Sequence, residues 1–497
     1  MVHFKKTLLL IVLISFVLRL YKIHTPLADW HSFRQADTAS VTREYVKHGI
    51  DLLRPRYHDI SNIQSGINTG GQDNVEGWRM VEFPLVNAII ASVLILFPSF
   101  DLVIVSRLFS ILASLGTLIA IAYIGKELYD KNVGLVAGAI FGILPFSVFY
   151  SRSILPEPFL LCAISTSLLF FLYYQQNHRK NLVSLFVSMG LFAIALLLKP
   201  MAIFFIPAFL GITLWKRKLH GLFDLRLIIV SVLSILPLLW WREWIKQYPT
   251  GIPWSDWLYN LDGIRLRPAW WRWLFWERLT KLWLGFGGTV FFGVSILSVM
   301  YGLKSGIKDF LFSRHIVLTL WGIGMFIYMI IFATGNVRHD YYQIMLLPFV
   351  CLVVGRGIVL LLQQQSKIQN SKFKSLGNLY LAALALLIFV SLYFSWQYVK
   401  GYYSINHWEI IEAGKRADSL LPAEAKVIAP YNGDTAFLFQ TNRTGWPIGF
   451  DIDTKINNGA QYYVSVNYDD EARRLETIYE TVEKTDNYII LNLTKKL

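Results

Sequence analysis

YKIHTPLADWHSFRQADTASVTREYVKHGIDLLRPRYHDI, residues 21–60, and GWRMVEFP, residues 77–84, form a polar, aromatic-rich stretch in a chain that is otherwise mostly apolar. Spans of a simple helical bundle are joined by a few residues. Here the chain departs from that pattern between its first apolar run and the next. The stretch places Asp29, His31, Arg34, Asp37, Arg43, Glu44, Asp59 and Glu82 where side chains reach both water and a membrane surface. An enzyme acting on a lipid-linked substrate keeps its acids and bases in such a place. The loop is therefore expected to carry chemistry, and the rest of the chain to hold it at the bilayer.

Composition supports the second half of that statement. Of 497 residues, 55% are hydrophobic and only 16% charged, with a mean hydropathy of +0.45. These values exclude an ordinary soluble domain. Apolar runs recur from Thr7 to Trp396 at the length that a hydrocarbon core of roughly 30 Å demands. The net charge of +14 is assigned to inner loops and lipid headgroups, not to nucleic acid. Cys162 and Cys351 both lie inside apolar segments, so no disulfide framework is expected. The N-terminal run follows Lys5 and Lys6 and is closed by Arg19 and Tyr21 without a small-residue cleavage site. It reads as an uncleaved first helix.

Charge then decides the topology. Apolar segments lie near 7–22, 83–98, 103–125, 133–150, 156–175, 182–198, 200–215, 226–241, 286–303, 315–334, 341–364 and 377–398. If all twelve cross, the basic loops 126–132, 177–181 and 215–220 fall outside, against the positive-inside rule. Segment 83–98 is bracketed by Pro84 and Pro98 and suits a helix lying in the interface. Demoting it places those loops, with 304–314 and 366–374, in the cytoplasm. The expectation is an all-α polytopic membrane protein of about eleven transmembrane helices, with surface helices in its first outer loop, 23–102. Residues 1–400 make the membrane domain and 401–497 a small C-terminal soluble α/β domain on the outer side. In that tail, NHWEIIEAGKRADSLLP reads as a helix capped by Asn406, and AKVIAPY, QYYVSVNY and NYIILNL as strands.

Each outer turn offers candidates. A surface helix beginning near Ala36 puts Asp37 in its first turn, where the helix dipole favours an ionised carboxylate, and Asp29 precedes it. Either could serve as general base toward an acceptor hydroxyl. The turn YSRSILPEPF adds Glu157, an acid costly to hold beside hydrocarbon. Lys199, before Pro200, lies alone at headgroup depth and suits a lipid phosphate. The tryptophan-dense loop 242–285 holds Arg265, Arg267 and Arg272, an arginine-rich outer segment that opposes the usual charge bias and could clamp a phosphate. The turn ATGNVRHDYYQIMLLPF contributes His339, Asp340 and Tyr341. With Arg34, Arg43 and Glu82 these form the substrate-binding candidates. A divalent cation is the one cofactor they would serve, with His58, Glu82 and His339 as candidate ligands, though their spacing is no metal motif. No Gly-rich cradle for a soluble nucleotide is present. A transporter would place ionisable groups at mid-membrane and show related halves. Here charges cluster at span ends, Arg356 excepted, and no repeat is visible. A non-catalytic scaffold leaves five polar regions on one face unexplained.

FRQADTASVTRE before a surface helix, EFP opening the interfacial helix, SRLFSILASLGTLIAIAYIGKELY, SRSILPEP, Lys199-Pro200 and RHDYYQIMLLP occur in that order over residues 5–400. The arrangement resembles the GT-C membrane glycosyltransferases, in the bacterial branch akin to protein O-mannosyltransferases and the lipid A aminoarabinose transferase (glycosyltransferase family 39-like). That resemblance implies a polyprenyl-phosphate sugar donor and a lipid, glycan or protein acceptor. It implies an outer-face active site in a bacterial inner membrane, inversion by direct displacement with an aspartate base, and an accessory tail. It also implies supporting roles for Glu82 and Glu157, a phosphate-side lysine at Lys199 and a lesser role for His339. One departure stands out: where relatives carry an Asp-Glu pair at the start of the surface helix, this chain has Arg34-Gln35, with Asp29 and Asp37 on either side.

Overall fold

The computed structural model describes residues 2–176, 181–369 and 374–497. Residues 177–180 of the basic loop expected at 177–181, and 370–373 of that expected at 366–374, therefore fall outside the described residues. All twelve apolar segments are helical. Among the described residues six helices are long and apolar enough to cross a membrane: Leu102–Leu128, Glu157–Gln176, Leu225–Gln247, Gly287–Lys304, Asp340–Gln369 and Ser375–Tyr403. Length and composition thus account for six of the expected eleven, and four apolar helices are shorter. The segment near 83–98 is one of these, Leu85–Leu96. Its 12 residues reach about 18 Å, too short for the core.

Prolines set where helices break. Pro145 divides the expected 133–150 segment into Lys131–Ile143 and Pro145–Tyr150. Pro200 ends Leu182–Leu198 and leaves Lys199 extended at its C-terminus. The helices pack closely: a Cβ on Gly134 would stand 2.2 Å from the Ala122 carbonyl oxygen, so only glycine fits this crossing. Arg19, read from sequence as the closure of the first run, is fully buried. Its guanidinium donates to Ser114 Oγ at 3.1 Å and to the carbonyls of Ser15, Gly142 and Phe141 at 3.1, 2.8 and 3.1 Å. Those bonds tie the first helix to its two neighbours and satisfy a charge that burial would otherwise penalise.

The first polar loop, 23–102, folds into the helix Ser32–His48, a short turn at Gly66–Thr69 and the Leu85–Leu96 helix, on which Ser32–His48 packs. The tail holds a five-stranded sheet of β1 (Val427–Ile428), β2 (Gly445–Trp446), β3 (Tyr462–Ser465), β4 (Tyr479–Lys484) and β5 (Ile489–Lys496) in the order β2-β1-β3-β5-β4. β1 runs parallel to β2 and β3, and β5 antiparallel to β3 and β4. The three expected strands are β1, β3 and β5. Asn406 does not cap the tail's first helix, which begins at Glu409 after Trp408 and has no side-chain cap. The first loop and the tail are joined by backbone: Ile60 N–H donates to the Gly445 carbonyl and Gly445 N–H to that of His58, both at 2.9 Å.

Candidate active site

A cleft opens where the Ser32–His48 helix, the Leu85–Leu96 helix and the turn before Glu157–Gln176 meet. One part of its wall is charged, with Arg34, Asp37, Arg79 and Glu82. Another is apolar, with Val86, Ile90, Leu155, Phe159 and Leu198. Such a cleft fits a ligand with an anionic or polar head and a hydrocarbon tail. Its shape follows from local structure. Phe83 N–H donates to the Leu197 carbonyl at 3.0 Å, which sets Glu82 beside the Lys199 turn, and Asn87 Nδ2 donates to the Thr38 carbonyl at 2.7 Å, which ties the two surface helices.

Asp37 is 2% exposed and lines this cleft. The helix begins at Ser32, not near Ala36, so Asp37 lies beyond the first turn and the helix dipole does not hold its charge. Side chains surround it instead. Oδ2 lies 3.0 Å from Arg79 and accepts from Gln64 Nε2 at 3.0 Å, while Oδ1 accepts from Thr435 Oγ1 at 2.8 Å. A carboxylate has about four acceptor positions, so a further hydroxyl still finds one.

Asp29 is differently placed. Its Oδ2 lies 2.7 Å from Arg152 and 3.4 Å from Arg107, and Oδ1 accepts from Gln35 Nε2 at 2.9 Å. All three charged side chains are at most 1% exposed. Asp29 clamps the loop that leaves the first helix onto the Leu102–Leu128 helix, through Arg107, and onto the turn before Glu157–Gln176, through Arg152.

Two further ion pairs flank the cleft, Arg34 with Glu82 and Lys199 with Glu157. Lys199 is therefore not the solitary cation that its turn indicated. Its ammonium also lies 5.0 Å from the ring centre of Tyr342 and 5.6 Å from that of Tyr341. Burial raises the Glu82 carboxyl, but Arg34, Lys199 and Arg79 outweigh it and hold it below its ordinary value. Glu157 opens its helix and is 1% exposed, and its Oε2 has no hydrogen-bond partner among the described residues.

The remaining candidates lie elsewhere. Arg43 turns to the tail, donating to the Phe439 carbonyl at 2.7 Å. Asp340 is enclosed by His31 Nε2 at 2.8 Å, Trp30 Nε1 at 3.3 Å, Arg278 Nη1 at 3.2 Å and the hydroxyls of Tyr150 and Tyr402. It is a structural hub, and His339 and Tyr341 pack around His31 beside it. The expected arginine clamp is not formed: Arg265 donates to the Ile330 carbonyl, Arg267 is exposed, and Arg272 is 75% exposed at 3.6 Å from Glu277. The wide turns of Arg272–Trp283 send Arg278 inward instead. The metal candidates are also separated. Burial lowers the His58 imidazole to about 4 although Glu44 beside it acts the other way, Glu82 pairs with Arg34, and His339 lies among aromatic rings. Among the described residues no group of three or more His, Cys, Asp or Glu side chains is placed to hold a metal ion. Arg79, Gln64 and Thr435 were not singled out from sequence. Arg79 sits in the quoted GWRMVEFP, and the other two carry no local signal.

Residues 82–241 match the dolichyl-phosphate-mannose-protein mannosyltransferase family. No curated protein matches the chain. Among solved structures it is similar to ArnT from Cupriavidus metallidurans bound to undecaprenyl phosphate, at 12% identity over 97% of each chain with a TM-score of 0.60. It is also similar to the oligosaccharyltransferase AglB from Archaeoglobus fulgidus in complex with an inhibitory peptide and a dolichol-phosphate. That match has 10% identity and a TM-score of 0.56, covering 99% of this chain and 76% of AglB. The arabinofuranosyltransferase AftD from Mycobacteria matches at 12% identity and a TM-score of 0.53, over 98% of this chain and 41% of its own.

Proposed function

We propose that this chain, an integral membrane protein with the fold of the GT-C glycosyltransferases, moves a sugar from a polyprenyl-phosphate donor to a hydroxyl acceptor, with Asp37 as general base. The single observation that carries the reading is the cleft, which brings two carboxylates, two guanidiniums and a hydrocarbon-lined wall together. The lipid phosphates bound to ArnT and AglB support a donor of that class.

In this mechanism the acceptor oxygen attacks the anomeric carbon as its proton passes to Asp37. The carbon–oxygen bond to phosphate breaks, and the configuration inverts. The polyprenyl phosphate leaves as a stable anion and needs no proton. What it needs is neutralisation. Arg34, Arg79 and Lys199 are balanced by Asp37, Glu82 and Glu157, three charges against three. The donor phosphate therefore engages Lys199 and Arg34 by taking the place of Glu157 and Glu82 at those cations. Asp37 is preferred to Asp29 because it lines the cleft, whereas Asp29 is enclosed by two guanidiniums. The topology that goes with this reading has eleven spans, the N-terminus in the cytoplasm, and the cleft and tail on the outer face of a bacterial inner membrane.

The test is transfer of label by purified protein from a panel of synthetic polyprenyl-phosphate sugars to lipid, glycan and peptide acceptors, with NMR of the product anomer. Inverted product from the wild type and none from Asp37→Asn supports the reading. Equal turnover in both removes Asp37 from the mechanism, and absence of transfer across the panel removes the donor class.

A further inference from the structure

Asp37 is anchored from two distant parts of the chain. Arg79 and Gln64 come from its own outer loop, but the hydroxyl on Oδ1 belongs to Thr435, 398 residues away in the tail. We propose that Thr435 is a positioning residue that sets the rotation of the Asp37 carboxylate, so that the C-terminal domain completes the active site. The proposal rests on the reading of Asp37 as base.

The Thr435 hydroxyl has one proton and two acceptors within reach, the Phe33 carbonyl at 3.1 Å and Asp37 Oδ1 at 2.8 Å. The shorter contact, to a charged acceptor, takes it. Threonine is stiff about its first side-chain torsion, and Thr435 is 5% exposed. Its backbone is fixed on the N-terminal side, where Asp434 accepts from Ala436 N–H at 2.7 Å. Beyond it, Gln440 Nε2 donates to the Leu27 carbonyl at 2.9 Å, and the Arg43 guanidinium lies 3.8 Å from the ring centre of Phe439. The paired backbone bonds of Gly445 with His58 and Ile60 close the segment. A tail serving only as an appendage has no need to extend a sheet edge onto the loop that holds the base. With Oδ2 held by a cation and an amide and Oδ1 by a hydroxyl, the carboxylate has one rotation left to it. Without the hydroxyl it turns about Arg79. The acidic and basic groups around it are Arg79, Arg34 and Glu82 from the outer loop, with Asp59 and Asp434 beyond, both pushed up to about 6 by burial.

The experiment compares the full-length wild type with Thr435→Val, Thr435→Ala and Thr435→Ser in one detergent. Labelling of Asp37 by dicyclohexylcarbodiimide, mapped by peptide mass spectrometry across pH, needs no donor. Loss of a hydrogen bond to the ionised form moves the labelling midpoint to higher pH in Thr435→Val and Thr435→Ala, and Thr435→Ser returns it. Transfer from a polyprenyl-phosphate sugar falls about tenfold in kcat, with KM little changed, and is again restored by serine. A wild-type midpoint and a wild-type kcat in whichever of Thr435→Val and Thr435→Ala folds overturn the proposal. If the wild type and Asp37→Asn transfer equally, the general-base reading fails, while the labelling midpoint still decides the Thr435 contact. If Asp37→Asn is inactive and the threonine variants match the wild type in both assays, only this inference fails.

Discussion

Replacing Asp29 by asparagine separates the two aspartates that the sequence left as rivals. The change keeps the shape of the side chain and an acceptor for Gln35, but removes the carboxylate that Arg107 and Arg152 both contact. Those guanidiniums are 0% and 1% exposed, so neither gains water in exchange. Breaking a buried pair costs about 3–5 kcal/mol. Arg107 keeps the Ile23 and Thr25 carbonyls and Arg152 that of Lys22, which places the loss at the lower end, about 3 kcal/mol. That is a shift of roughly a hundredfold in a folding equilibrium. Thermal unfolding of the purified variants in one detergent reads it as a clearly lowered melting temperature. Label transfer by the fraction that remains folded is expected to stay within about tenfold of the wild type, whereas Asp37→Asn loses the ~10²–10⁴-fold that a general base contributes. An Asp29→Asn protein that melts like the wild type and yet loses turnover as Asp37→Asn does would refute the argument from enclosure.

Three further outcomes follow from the same geometry. Lys199→Met leaves Glu157 buried without its cation and is expected to cost about 3 kcal/mol or more of stability. Adding Glu157→Gln recovers part of that in melting experiments but recovers no transfer, and recovery of transfer argues against a phosphate role for Lys199. Burial raises Asp59 from 3.8 to about 6 and lowers His58 from 6.5 to about 4, so the two act oppositely on stability. The carboxyl's contribution falls as pH rises between those values and the imidazole's is lost as pH falls through its own window. Asp59→Asn therefore steepens the rise of melting temperature with pH across this acid range, and His58→Gln flattens it. Matching pH profiles in the two variants would contradict both assignments. Arg272→Ala, at an exposed position, leaves transfer within about twofold, while Arg34→Ala, on the cleft wall, lowers it at least tenfold through loss of a charge-assisted contact. Comparable losses in the two would restore the arginine clamp of the late loop.

Sequence made the frame legible because the membrane imposes length, and prolines and basic loops punctuate it. All twelve apolar segments are helices, and Pro145, Pro156 and Pro200 stand where helices break or begin. The same frame grouped Asp37, on the surface helix of the first polar loop, with Glu82, Glu157 and Lys199, each beside a segment end expected on that side. What stayed hidden is how those charges pair. Lys199 reads as solitary because Glu157 lies 42 residues away, and the partners of Asp37 lie 27, 42 and 398 residues along the chain. Contacts at such separations leave no period in a sequence. The late loop shows the converse error. Its arginines and tryptophans have the composition of a lipid-phosphate site, but composition cannot tell that Arg272–Trp283 winds so that Arg278 turns in to Asp340 while Arg272 faces out. Thr435 is the extreme case. In NGDTAFLF it is one more residue after an Asp helix cap, and it takes on meaning only because the tail docks by backbone onto the loop that holds Asp37. Counting acids and bases locates the end of the helices that carries the cleft. Finding which carboxylate is left to accept a proton requires the ion pairs, and those leave Asp37 in the cleft and Asp29 behind two arginines.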